Sequence, residues 1–279
     1  MSPAALGFIG LGVMGGPMAR NLARRSGRPV IGFDLRCEPP EGVLPAKSVA
    51  DLAGQVETLF LSLPGETEIR QVLHDVPLDK TIVDCSTAPV ALARELALRY
   101  ANFADAPVAR TRQAAVEGTL SIMVGASPQL FARIEPLLRC MGSEVTHCGA
   151  PGAGQAVKLV NNMVLSMTVL ALAEALALAQ ATGAVDAQLL FETLAKGSAD
   201  SFALRNHGMK ALLPGLHPEN AFSVRYMLKD MTYALELARS AGLQLQGAGT
   251  ARRMLEETVA LGLGDAYHTA IVEAVRKHS

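Results

Sequence analysis

Apolar positions along this chain follow two regimes. Up to about residue 148, short β-branched and apolar runs alternate with stretches of helical period. The runs predict strands at Leu6–Ile9, Pro29–Phe33, Thr58–Leu63, Thr81–Cys85, Asn102–Ala104, Ser121–Val124 and Glu144–His147. Between them the pattern predicts helices at Met14–Arg25, Thr67–His74, Ala91–Tyr100 and Pro128–Met141. Such alternation points to βαβ units and a largely parallel sheet. Gly149, Pro151, Gly152 and Gly154 then form a breaker cluster, and beyond it strand-type runs are absent. The first helix after the break is expected from about Gly154 to Thr182, roughly 45 Å long. Its Ala and Leu run lacks a clear polar face, so it is expected to be covered on several sides. Later helices are expected at Asp186–Lys196, Ser201–Leu212, Ser223–Ser240, Ala248–Leu261 and Tyr267–Lys277. Gly242, Gly262 and Gly264 fit helix stops. The fold expected is an α/β domain over residues 1–149 joined by a long helix to an all-α domain over residues 150–279.

Composition narrows the function classes. Half of the 279 residues are hydrophobic and the formal net charge is -1, with no long run of one sign. That argues against a nucleic-acid-binding face or a polybasic membrane tail. The four cysteines, Cys37, Cys85, Cys140 and Cys148, show no CxxC spacing and the six histidines form no metal-ligand motif. Free thiols, no metal and a reducing, cytoplasmic setting are expected, with no secretory leader. Met163 to Ala181 approaches the length of a bilayer crossing. Glu174 sits in its middle and no Trp, Tyr or basic anchor flanks it, so a buried core helix is expected rather than a membrane span.

Chemistry enters at Gly10-Leu11-Gly12-Val13-Met14-Gly15, a GxGxxG between a strand and a helix. Alone the pattern is weak, but strand, helix and a following acid are all in register. Gly10 permits the tight turn, Gly12 lets backbone approach a pyrophosphate, and Gly15 lets the helix pack on the strand. Val13 and Met14 lie at the helix start, whose N–H groups and dipole face the phosphates. The first domain is therefore expected to be Rossmann-like. Asp34 lies 19 residues after Gly15, at the end of the second strand. A carboxylate there accepts from both ribose hydroxyls and repels a 2′-phosphate, which favours NAD over NADP. Arg36, two positions on, could instead meet such a phosphate.

Four segments carry a family resemblance. FIGLGVMGGPMARNL (Phe8 to Leu22), DAPVARTRQAAVEGTL (Asp105 to Leu120) with MVGA after it, GAGQAVKLVNN (Gly152 to Asn162) and Lys229-Asp230 within FSVRYMLKDM resemble the β-hydroxyacid dehydrogenase family, in the expected order along the chain. The resemblance implies a catalytic lysine at Lys158 and a partner amide at Asn162. Helical spacing agrees, because Asn161 and Asn162 are three and four positions beyond Lys158 and share its face. A partly desolvated ammonium there can give a proton to a carbonyl oxygen or stabilise an alkoxide. The resemblance also implies that Leu63-Pro64 and Ser86-Thr87, at strand ends, line the cofactor, and that Lys229 faces substrate or nicotinamide. A solvated lysine paired with a neighbouring acid is the plainer reading of Lys229.

The pattern departs from the family at Ala109-Arg110-Thr111, where Ser-Gly-Gly is usual. This loop resembles that of sulfolactaldehyde reductases, which bind a sulfonate, with Ala109 and Arg112 as mismatches. Arg110 offers a planar fork of donors to an oxyanion, or else points to solvent while the substrate is an ordinary 3-hydroxy acid. The expectation is an NAD-dependent enzyme that interconverts a small anionic hydroxy compound and its semialdehyde, a homodimer or homotetramer through the long helix. An NADH-dependent sulfolactaldehyde reductase, an imine reductase and a non-catalytic NAD-binding module are the alternatives.

Overall fold

The computed structural model describes residues 4–219 and 221–277. The chain divides into two compact units, one reaching to Lys158 and the other running from Leu159. The first unit carries a nine-stranded sheet: β1 (Leu6–Ile9), β2 (Val30–Phe33), β3 (Val43–Pro45), β4 (Thr58–Leu61), β5 (Thr81–Asp84), β6 (Asn102–Asp105), β7 (Val108–Ala109), β8 (Leu120–Gly125) and β9 (Gly142–Gly149). Strand order is β3-β2-β1-β4-β5-β6-β8-β7, with β9 also on β8. All pairs are parallel except β6–β8 and β7–β8. The order reverses between β1 and β4, which opens a crevice at the carboxyl ends of those strands.

Both faces of the sheet are covered, which is why its strands read as continuous apolar runs. One face packs Leu6, Phe8 and Phe60 against Met18, Ala19 and Leu22 of α1 (Gly15–Arg25) and Leu130 and Ile134 of α6 (Pro128–Leu138). The other packs Ile9, Leu59 and Leu61 against α2 (Val49–Gln55), α3 (Glu66–His74) and α4 (Val90–Arg99). Strands β3 and β7 and helices α2 and α5 (Arg112–Glu117) had no signal in the pattern. Each is two to seven residues long, too short for a period to show. Their ends are instead decided by caps, such as Ser48 Oγ on the Asp51 N–H and Thr111 Oγ1 on the Ala114 N–H.

Helix α7 (Ala153–Thr182) is one unbroken element of 30 residues. It is long and apolar enough to cross a bilayer by length and composition, and half of that window is buried within the protein. The expectation of cover on several sides is met in part. Val160, Val164, Met167 and Leu178 stay exposed, in a stripe along one side. The second unit continues with α8 (Ala187–Leu194), α9 (Val224–Ser240), α10 (Gln246–Thr258) and α11 (Ile271–Lys277), around a core of Phe191, Leu204, Met227, Met231, Leu255 and Ile271. Where an α-helix was expected at Ser201–Leu212, Leu204–Leu212 is π-helical and brings Gly208 against the Phe191 ring.

Candidate active site

The three GxGxxG glycines stand in different surroundings. Gly10 has φ +90°, and a Cβ there would collide with the Ser62 carbonyl. A Cβ on Gly15 would collide with the Gly10 carbonyl, so the start of α1 can close on β1 only with glycine. Gly12 is different: a Cβ there would meet nothing within 4 Å. No packing within the protein demands that glycine, which fits a backbone kept bare for a phosphate. Val13 is exposed beside it, and Met14 is partly buried against the core.

Asp34 follows β2 and closes onto this loop. Its Oδ2 accepts from the Leu11 N–H at 2.7 Å, and its Oδ1 accepts from Arg36 N at 2.7 Å and Cys37 N at 3.0 Å. Burial pushes its carboxyl up, but the backbone N–H groups of Arg36, Leu11 and Cys37 outweigh this and hold it below the usual carboxylate value. A carboxylate has about four acceptor positions. Three of them serve the backbone N–H groups of Leu11, Arg36 and Cys37.

The two loops expected to line a cofactor, Leu63-Pro64 and Ser86-Thr87, are tied together. Ser86 Oγ accepts from the Leu63 N–H at 2.9 Å, and Ser86 N donates to Asp84 Oδ1 at 3.0 Å. Pro64 and Thr87 follow in the same two loops, after the ends of β4 and β5. Gln155, in the first turn of α7, is fully buried. Its Nε2 donates to the Ser86 carbonyl at 2.8 Å and its Oε1 accepts from the Ala88 N–H at 3.0 Å. Asp105, at the end of β6, is also fully buried and caps α7: Oδ1 accepts from Gly152 N at 2.6 Å and Oδ2 from Gln155 N at 2.8 Å. These bonds explain why the unit boundary falls inside α7, after Lys158, and not in the breaker cluster. Burial pushes Asp105 up to about 6 in spite of the bonds from Gly152 and Gln155.

Lys158 lies three residues beyond Gln155 and is only 9% exposed. Asn162, one turn further on, is buried in the second unit. Its Nδ2 donates to Asp230 Oδ2 at 2.6 Å, and its Oδ1 accepts from Asn161 Nδ2 at 3.0 Å. Asp230 is 1% exposed, and its Oδ1 lies 3.3 Å from Lys229 Nζ. Lys229 also sits over the rings of Tyr226 and Tyr233, at 5.8 and 5.4 Å. Asn162 and Lys229 are thus joined through one carboxylate, a link the sequence did not suggest, and Lys229 does have the neighbouring acid of its plainer reading.

The Ala109–Thr111 loop is held by contacts of its own. Ala109 ends β7, and Thr111 Oγ1 caps α5. Arg110 has φ +85°, the one non-glycine residue in that region among the described residues. It holds a backbone conformation that glycine favours, at the position where the resemblance implied a glycine. Its Nη1 donates to the Thr119 carbonyl at 2.6 Å and to Ser143 Oγ at 3.0 Å. Sequence reasoning named neither Asp105, Gln155 nor Asp230 as site residues. All three lie inside the quoted motifs, and an acid at a strand end was the signal that found Asp34 and could have found Asp105.

A family model described as the NAD binding domain of 6-phosphogluconate dehydrogenase matches residues 5–149. A second, described as NAD-binding of NADP-dependent 3-hydroxyisobutyrate dehydrogenase, matches residues 152–275. The chain belongs to the β-hydroxyacid dehydrogenase family. It is 32% identical to 2-(hydroxymethyl)glutarate dehydrogenase of Eubacterium barkeri, across 96% of this chain and 93% of that protein. It is 31% identical to 2-hydroxy-3-oxopropionate reductase of Escherichia coli K12, across 97% and 96%. The structure of Mycobacterium tuberculosis 3-hydroxyisobutyrate dehydrogenase with L-serine superposes with a TM-score of 0.88 at 29% identity, covering 99% of this chain and 100% of that one. The sheet unit is accordingly a Rossmann-like, nicotinamide-dinucleotide-binding domain, and the chain is an oxidoreductase of this family.

Proposed function

We propose that this β-hydroxyacid dehydrogenase uses NAD(H) to interconvert a small anionic hydroxy compound and its semialdehyde, with Lys158 as general acid and base. The observation that carries the reading is Lys158, nearly buried on the first turns of an apolar helix that Asp105 caps, with Asn162 one turn beyond on the same face. When bound, the dinucleotide supplies the hydride in reduction and accepts it in oxidation. In reduction Lys158 Nζ donates a proton to the carbonyl oxygen as the adjacent carbon gains hydride, and recovers it from solvent. In oxidation it takes the hydroxyl proton. Asn162, held by Asp230, orients the same oxygen or the lysine. Gly10 to Gly15 and Asp34 hold the pyrophosphate and adenosine ribose; Leu63, Pro64, Ser86 and Thr87 border the nicotinamide end.

The Asp34 carboxylate favours NAD, although one matching family description names an NADP-dependent enzyme. Its charge, held by three backbone N–H groups, opposes a 2′-phosphate at the end of β2. The substrate's acid group is assigned to Ala109–Thr111. Nη1 of Arg110 is anchored, and its Nε–Nη2 edge makes no hydrogen bond among the described residues. That edge is the two-donor fork that fits a carboxylate or sulfonate. Lys229 borders the reacting end. The enzyme is proposed to be soluble, cytoplasmic and self-associated through the exposed stripe of α7.

The test is nicotinamide absorbance over a panel of semialdehydes carrying carboxylate, sulfonate or phosphonate groups. Lys158→Ala is expected to lower kcat by two to four orders of magnitude, roughly the loss of a general acid, with NADH affinity retained. Near-normal turnover in that variant removes Lys158 from the mechanism.

A further inference from the structure

We propose that Gln155 is a positioning residue whose side-chain amide sets the register between the Lys158 turn of α7 and the Ser86–Ala88 loop of the cofactor site. The inference rests on the reading of Lys158 as proton donor. Gln155 is fully buried, so it touches no substrate. Each end of its amide has one partner of the matching kind: Oε1 takes the Ala88 N–H and Nε2 gives to the Ser86 carbonyl. Swapping the ends would set donor against donor and acceptor against acceptor, so the orientation is determined.

The chain of bonds continues on both sides. Ser86 carries the register to Leu63 through its Oγ and to Asp84 through its N–H. The Gln155 N–H reaches Asp105, which also holds Gly152. The loops after β4 and β5, the end of β6 and the start of α7 are thereby locked as one piece. Lys158, three residues along the helix, inherits that placement. Without the amide, the Ala88 N–H and Ser86 carbonyl lose their buried partner and the turn shifts to find others. A shift of about 1 Å can cost about a hundredfold in rate. The pyrophosphate and adenosine-ribose anchors, on β1 and β2, make no bond to Gln155 and keep their geometry.

Two variants test this. Gln155→Leu is expected to lower kcat by about ten- to a hundredfold, with the NADH dissociation constant, read by nicotinamide fluorescence, changed by less than about threefold. Gln155→Glu supplies a pH readout. A protonated carboxyl can still accept from Ala88 N–H and donate to the Ser86 carbonyl; an ionised one cannot donate. Of the titratable and charged groups around it, Asp105 on β6 accepts the Gln155 N–H, Asp84 at the end of β5 accepts the Ser86 N–H, Cys85 adjoins Ser86, Arg94 on α4 lies against Gly152, and Lys158 is three residues along α7. The kcat of Gln155→Glu relative to wild type should therefore fall about tenfold or more as pH rises from about 6 to 9. A ratio independent of pH overturns the proposal, as does wild-type kcat in Gln155→Leu. A loss of NADH affinity matching the loss of kcat also overturns it, since it marks a cofactor-loop role.

Hydrogen exchange separates this claim from the catalytic reading. Amides Ala156 to Val160 should exchange about tenfold faster in Gln155→Leu, with those of α9 unchanged. If the wild type turns over no semialdehyde, or Lys158→Ala is fully active, the catalytic reading fails and exchange alone decides the register claim. Unchanged exchange at Ala156 to Val160 overturns it.

Discussion

Asp105→Asn tests the start of the catalytic helix quantitatively. The buried Asp105 carboxylate accepts from the Gly152 and Gln155 N–H groups. Desolvation nevertheless raises its pKa from an ordinary 3.8 to about 6, because burial outweighs those bonds. Between these two values the folded chain keeps a proton that the unfolded chain has released. Its contribution to stability is thus fully present below about pH 4 and is lost as pH rises through 6. The difference of roughly two pKa units corresponds to about 3 kcal/mol. Asparagine has nearly the same shape and does not ionise, so the variant lacks this slope. It also turns an amide N–H₂ toward one of the two backbone donors, at about 1–3 kcal/mol, but that cost is the same at every pH. The stability of wild type minus that of Asp105→Asn should therefore drop by about 3 kcal/mol between pH 4 and pH 8. Other carboxylates titrate alike in both proteins and cancel. Exchange of the β5 and β6 core amides, corrected for intrinsic pH dependence, reads the opening of this unit by itself. Parallel stability curves for the two proteins would refute the reasoning.

Three further outcomes follow from the geometry. Asp34→Ser, which leaves Arg36 in place, should narrow the NAD-over-NADP ratio of kcat/KM by about tenfold or more; a wild type that prefers NADPH would sink the Asp34 argument. Arg110→Gly and Arg110→Ala should each raise KM for the best acidic substrate by about two orders, while the glycine variant, relieved of φ +85°, should be more stable than the alanine one by about 1 kcal/mol in thermal melts. Unchanged KM in both would make Arg110 only a brace on Thr119 and Ser143. Val160, Val164, Met167 and Leu178 line about 27 Å of α7, a span whose only charged residue is Glu174, and form too narrow a strip for the ~800 Å² per partner of a stable dimer unless adjoining surface joins it. A second copy paired along this strip predicts a dimer or larger by light scattering at micromolar concentration, and a shift toward monomer in Val164→Glu; a monomeric wild type refutes it.

The order of strands and helices, the GxGxxG turn, the acid at the end of β2 and the long helix were legible in the amino-acid sequence because each depends on local periodicity or on a backbone demand at one residue. Gly10 and Gly15 are required by neighbours a few residues or one strand away, and apolar runs of four or more residues announce a sheet buried on both faces. The tertiary structure alone decided which polar groups meet. Asp105 and Gln155 lie 50 residues apart, Gln155 and Ser86 69, and Asn162 and Asp230 68. No periodicity records such pairings, since any buried donor or acceptor only requires some partner, and the fold chooses which. The same holds for Arg110, whose sequence showed a lost glycine but not that its backbone would keep the glycine conformation or that its guanidinium would lean on Thr119 and Ser143. For Asp34 the sequence supplied the carboxylate, and only the packing of the loop decided that the Leu11, Arg36 and Cys37 N–H groups gather around it.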